Sequence, residues 1–150
     1  MNIHTHTTPD ALDRYAFYWS EARLIIASVA LFLGGIPPVI YFNPFPGLLR
    51  IISPFLALSW LVSGAVTAYL IYRWNQSGKK IFGGKNQRDL TAFFLNVVTG
   101  LNLGLVPIIG SNIGMSISSS KGVFVLAGVV YILVALYLWK RWNQCGETLF

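Results

Sequence analysis

Apolar residues along the chain gather into four long blocks separated by polar connectors. The blocks run from about Leu24 to Phe42, Leu48 to Tyr72, Thr91 to Gly110 and Gly122 to Trp139. Each is close to the ~20 residues a helix needs to cross a ~30 Å hydrocarbon layer. A segment in lipid must satisfy its own backbone hydrogen bonds, which selects helices, and the alternating pattern of a membrane barrel is missing. The middles of the blocks carry no Asp, Glu, Lys, Arg or His, and Glu21 and Arg23 fall just ahead of the first block. The pattern predicts an all-α integral membrane protein with four transmembrane helices and intramembrane segments free of charge.

Upstream of the first block, Thr7-Thr8-Pro9-Asp10 reads as a helix start. Threonine caps, proline suits the first helical position, and an acid suits the positive end of the helix dipole. Leu12, Tyr15, Ala16 and Trp19 then follow at i, i+3, i+4 and i+7. That stripe predicts a short interfacial helix lying on the headgroups, with a plain N-terminal extension of the first membrane helix as the alternative. The domain reading is a cytoplasmic tail and interfacial helix over 1–22 and one four-helix transmembrane domain over 23–150.

Charge orients these segments. Arg14, Arg23, Arg73, Lys79, Lys80, Lys85, Arg88, Lys140 and Arg141 lie on one side, and only Arg50 and Lys121 on the other. Nine against two makes the first side cytoplasmic, which predicts an inner-membrane protein with both termini in the cytoplasm. Trp19, Trp74, Trp139 and Trp142 fall at that same face, as interfacial anchors do.

The second and fourth blocks end alike. Residues 69–82, YLIYRWNQSGKKIF, and 137–150, YLWKRWNQCGETLF, share eight identities in fourteen positions at an offset of 68. Leu33-Gly34-Gly35-Ile36-Pro37 resembles Leu103-Gly104-Leu105-Val106-Pro107 at an offset of 70. The chain therefore reads as two tandem helical hairpins in parallel, about 23–82 and 91–150, each breaking near Gly-x-x-Pro. The shared ending suits an anchor, with Arg73, Trp74, Lys79, Lys80, Arg141 and Trp142 meeting lipid headgroups. The sharper alternative is a paired cytoplasmic site that adds Asn75, Gln76, Asn143 and Gln144 to the two arginines.

The third block is the most polar. Asn96, Thr99, Gly100, Leu103 and Pro107 share one helical face, and Asn102 lies about 120° from Asn96. Gly100 and Gly104 form a small-xxx-small pair that admits another backbone. Ser59, Ser63 and Thr67 recur every four residues in the second block. These groups read either as helix contacts or as a solute path lined by Asn96, Thr99 and Asn102.

Composition narrows the function classes. Hydrophobic residues make up 55% of the 150, and only 11% are charged, against about 25% charged in a soluble domain. A net charge of +6, spread over segment flanks, fits lipid contact and topology control rather than nucleic acid. The single cysteine, Cys145, permits no intrachain disulfide. His4 and His6 lie in the tail, so no axial ligand or soft metal set is available, and no cofactor is expected. Asp10, Asp13 and Glu21 without an early apolar core argue against a signal peptide. Gly78 to Gly84 mimics a phosphate loop but has glycine where the lysine belongs, and no catalytic triad or Cys-x-x-Cys is present. The expectation is a non-enzymatic scaffold or accessory subunit, acting among lipids as a homo-oligomer or in a larger membrane complex. The alternative is a small channel or transporter.

Overall fold

A computed structural model describes residues 8–118 and 120–150. Among these residues the protein is helical, without strands, the single exception being an isolated bridge between Ile81 and Gly84. Four long helices carry the fold: α1 (Pro9–Phe32), α3 (Leu49–Gln76), α4 (Gln87–Ile109) and α6 (Lys121–Gln144). Two short helices, α2 (Pro38–Tyr41) and α5 (Ile113–Ile117), sit in the connections at one end. Three helices are long and apolar enough to cross a membrane: Pro46–Gln76, Gln87–Ile109 and Lys121–Gln144. Ile25, Val98, Ile108, Leu126, Leu133 and Leu136 point out of the bundle. Apolar exposure on that scale suits lipid and not water.

The first segment departs from expectation. There is no separate interfacial helix: α1 runs unbroken from Pro9 to Phe32, across the expected boundary at residue 22. Thr8 caps it by accepting from the Ala11 N–H at 3.4 Å. No glycine or proline interrupts residues 10–32, so a helix begun at Pro9 has no reason to stop. The helix ends instead inside the expected apolar block, where Gly34 and Gly35 take positive φ values of 75° and 86° and Pro37-Pro38 follows. Residues 33–42 are apolar in composition, yet form a turn and the one-turn α2.

The long helices make a ring. α3 packs most extensively on α4, and α1 on α6, while α1 and α4 also meet across the middle. The starts of α1 and α4 and the ends of α3 and α6 share one end of the bundle, called here the base. The buried apolar core gathers there, with Phe17, Leu70, Ile81, Phe93, Leu138 and Trp142 all nearly without exposure. Phe17 stacks on Trp142 with ring centroids 4.2 Å apart. On the other side Trp74 tilts against Phe93 at 6.3 Å.

Glycines set the closest helix approach. A Cβ on Gly64 would lie 2.8 Å from the Gly104 Cα, so α3 and α4 touch backbone to backbone, as the small-residue spacing in α4 predicts. The expected Gly-x-x-Pro match fails. Gly34 to Pro37 lies beyond the end of α1, whereas Gly104 to Pro107 lies within α4, which continues to its left-handed cap at Gly110.

Candidate functional site

Two ionic clamps hold the base. Asp13 on α1 accepts from Arg73 Nε at 2.8 Å and from the Tyr69 hydroxyl at 2.7 Å, both on α3. Asp89 on α4 accepts from Arg141 Nε at 2.9 Å and from the Tyr137 hydroxyl at 2.6 Å, both on α6. Each arginine also reaches the second carboxylate oxygen through Nη2, the paired geometry that a guanidinium favours. Both acids are buried, while the arginines keep part of their surface exposed. The chain ends beyond the clamps cross over. The Arg73 guanidinium lies over the Phe150 ring at 5.9 Å, and that of Arg141 over the Phe82 ring at 5.6 Å. The Phe82 N–H donates to the Leu149 carbonyl at 2.7 Å.

The residues read as headgroup contacts therefore divide. Arg73 and Arg141 are engaged by carboxylates, Trp142 lies inside the bundle, and Trp74 is half-buried. Lys79 and Lys80 are exposed. Asn75, Gln76, Asn143 and Gln144 are also exposed, and Gln144 Oε1 accepts from Arg141 Nη1 at 3.2 Å. The acids that complete the clamps escape a search built on the arginine endings alone. Their signal is present in the sequence: Asp13-Arg14-Tyr15-Ala16-Phe17-Tyr18 and Asp89-Leu90-Thr91-Ala92-Phe93-Phe94 share Asp-x-x-Ala-Phe-aromatic at an offset of 76.

A second buried cluster lies midway along the bundle and brings inside it two charges that the sequence places just ahead of the first apolar block. Arg23 is only 6% exposed and Glu21 only 4%. Nη1 of Arg23 donates to Thr67 Oγ1 on α3 at 2.8 Å. Nη2 donates to the Asn96 carbonyl on α4 at 2.7 Å and also to the Asn96 side-chain oxygen. Thr67 and Asn96 each stand about 14 Å along their helices from the base, at 1.5 Å per residue. Gly100 makes the room, since a Cβ there would overlap both Thr67 Oγ1 and the Arg23 guanidinium. All the acceptors are neutral, and among the described residues no ion pair reaches Arg23. Glu21 lies on the far side of α1, about 200° around the helix from Arg23. It belongs to the face on which Phe17 stacks with Trp142 and the Ser28 hydroxyl donates to the Gly128 carbonyl of α6. Among the described residues, Glu21 Oε1 and Arg23 Nε are buried without a hydrogen-bond partner.

Beyond Arg23, toward the end opposite the base, a cavity of about 590 Å³ opens among all four long helices. Its wall takes Ile26 and Leu31 from α1, Leu56 from α3, Leu103 and Val106 from α4, and Phe124 from α6. Arg23 forms its floor with Trp19, Ser63 and Thr99. The turn after α1 and helix α5 roof it, and Met115 of α5 packs so tightly on Gly35 that a Cβ there would clash. Asn102 Nδ2 donates to Asn112 Oδ1 at 2.8 Å and pins that roof to α4.

The polar residues read as a path or as helix contacts thus take distinct places. Ser59, Ser63 and Thr67 each donate a hydroxyl to the backbone of their own helix. Ser63 Oγ accepts from the Trp19 indole at 3.0 Å, and Thr67 accepts from Arg23. Asn96 holds Arg23 from below, while Thr99 and Asn102 line the cavity. The sequence reading used Arg23 only as a flanking charge that orients the first block, because that block's boundary began one residue later. The helix start at Pro9 is the signal that puts residue 23 mid-helix. No known protein family, curated protein or solved structure matches the chain.

Proposed function

We infer that this is a small multi-pass transporter of the inner membrane, in which four helices carry a solute through the central cavity. The observation that supports it is the 590 Å³ cavity with buried, unpaired Arg23 at its floor. Ligand sites fall within about 300–1,000 Å³, and an ionisable group inside a membrane bundle reads first as functional. A scaffold that works by packing alone needs neither feature, although the small size of the bundle and its small-residue stripes suit one as well.

In this reading α1 is the fourth span. Its 24 residues cover about 36 Å at 1.5 Å each, and its two mid-helix charges turn into the bundle while Ile25, Ile26, Val29 and Phe32 turn out. The chain is two tandem hairpins, α1–α3 and α4–α6, related by a twofold axis along the membrane normal. Support comes from the matched clamps and from the endings, where Lys79 and Glu147 share positive φ values of 63° and 60°. The base faces the cytoplasm with both termini. Arg23, now interior, leaves the charge count, so nine against two becomes eight against two. The packed core closes the base, so the cavity faces the other way. Rocking of α1–α6 against α3–α4 would expose it to the cytoplasm.

Cysteine accessibility tests this. In a Cys145→Ser background, Ala30→Cys and Val106→Cys are probed in right-side-out and inverted vesicles with a membrane-impermeant thiol reagent. A carrier is labelled from both sides. Labelling from the outside alone would reduce the protein to a receptor, and co-purification with one stoichiometric partner without labelling would restore the accessory role.

A further inference from the structure

We propose that Arg23 is the receptor for the oxyanion head of an amphiphile, a carboxylate or phosphate, whose apolar body fills the cavity. The inference rests on the cavity being a solute site and adds the chemistry of its occupant. Three observations carry it. Arg23 is more than nine-tenths buried and lines the cavity floor. Its hydrogen bonds go to Thr67 and Asn96, both neutral, and its Nε–H has no acceptor. The wall above it is aliphatic and aromatic over the length of Ile26, Leu31, Leu56, Leu103, Val106 and Phe124.

A guanidinium deep in the bundle cannot shed its charge, since arginine stays protonated in proteins. Neutral oxygens solvate it only in part, and an uncompensated buried charge is strongly unfavourable. Glu21, on the opposite side of α1 and not part of the cavity wall, attracts it through space but reaches it with no ion pair. An oxyanion entering the cavity meets the free Nε–H in a water-poor site, where a charge-assisted hydrogen bond is about twice as strong as a neutral one. Among the described residues the anion has no other cation to meet there, since the cavity lining holds no further lysine or arginine. Small inorganic anions fit poorly for the opposite reason: they would leave the apolar wall unfilled.

The pseudo-twofold frame sharpens the assignment. At the offset of 76 that relates the clamps, Arg23 corresponds to Thr99 and Asn96 to Ser20. At 68, Thr67 corresponds to Ala135. The base keeps its chemistry in both halves, whereas the guanidinium and its two holders occur in one. A group needed only for packing of the shared frame would recur in both halves. This one departs from the repeat where the cavity begins.

The test uses the full chain in phosphatidylcholine nanodiscs, with decanoate and decanol as probes of equal length. Trp19 and Trp60, both in the cavity lining, report binding by fluorescence. Decanoate is expected to bind at least tenfold more tightly than decanol, the order of one hydrogen bond to a charged group. Arg23→Gln should erase that preference and leave decanol binding within about twofold. Leu103→Trp, which fills the cavity and spares Arg23, should weaken both probes. Monodisperse elution of each variant checks folding. Equal affinity for the two probes in the native chain, or a preference that survives Arg23→Gln, would overturn the proposal while leaving the cavity reading intact. Failure of both probes, together with unlabelled Ala30→Cys, would remove the cavity reading as well. Repeating the titration in phosphatidylglycerol discs assigns the source. Loss of decanoate binding there identifies a lipid headgroup as the oxyanion, and retained binding identifies a free amphiphile.

Discussion

The two halves of the bundle treat buried charge in opposite ways. At the base each acid meets its arginine and a tyrosine hydroxyl in full, twice over. Midway up, Arg23 and Glu21 are buried with partners missing. Paired, hydrogen-bonded charge on a packed aromatic core resists disruption. A buried charge without an ion pair, beside a cavity, is expected to contribute little to folding. The contrast teaches where to look for stability and where to look for function in a chain whose helices are otherwise alike.

Substitutions can break or sharpen that contrast. The largest effect is expected at Asp89→Asn, which takes the charge from an almost fully buried partner of Arg141 and Tyr137. Breaking a buried pair costs about 3–5 kcal/mol, and the part-exposed arginine should bring this down to about 3 kcal/mol. Equilibrium unfolding in mixed micelles reads it, and a loss below about 1 kcal/mol would mean the base is not the stabilising half. Next is Gly64→Ala, which drives a Cβ against the Gly104 backbone and should cost about 2 kcal/mol through overpacking. Arg23→Met should do the reverse of the clamp variant. Exchange of a poorly compensated buried charge for an apolar chain is neutral or stabilising, by about 1 kcal/mol here. A marked destabilisation in the same assay would show that Arg23 is structural. Smallest is Lys80→Gln on the exposed loop, expected within about 0.5 kcal/mol; a larger change would give the loop a part in the fold.

Hydropathy made α3, α4 and α6 legible to within a few residues, because each keeps its charged groups at its ends. It misplaced α1 because an averaged pattern cannot separate a charge that flanks a span from one that turns into a bundle. Arg23 and Glu21 look like a flank, yet they are held inside by contacts with helices far away in sequence. The same averaging extended the first segment through residues 33–42, where Gly34, Gly35 and the two prolines forbid a helix despite their apolar neighbours. Matching on Gly-x-x-Pro passed over another likeness, Asp13 with Asp89 and Phe17 with Phe93, whose side chains make similar contacts in the clamps and the aromatic core. The cavity was not legible at all. It is the space left where four helices diverge above Arg23, and no run of residues encodes it.

The crossed endings bear on how the chain is made. Arg73 completes its surroundings under Phe150, a residue synthesised 77 positions later (150 − 73). Helices α1 and α3 are therefore made without that ring, and the basal arginine stays uncovered by it until α4 and α6 have followed. Covering of the clamps becomes a late event, in which Phe150 and Phe82 close over Arg73 and Arg141 at nearly the same moment. A ribosome paused after α4 would hold a half-built bundle whose first clamp is ready and whose cover is not yet translated.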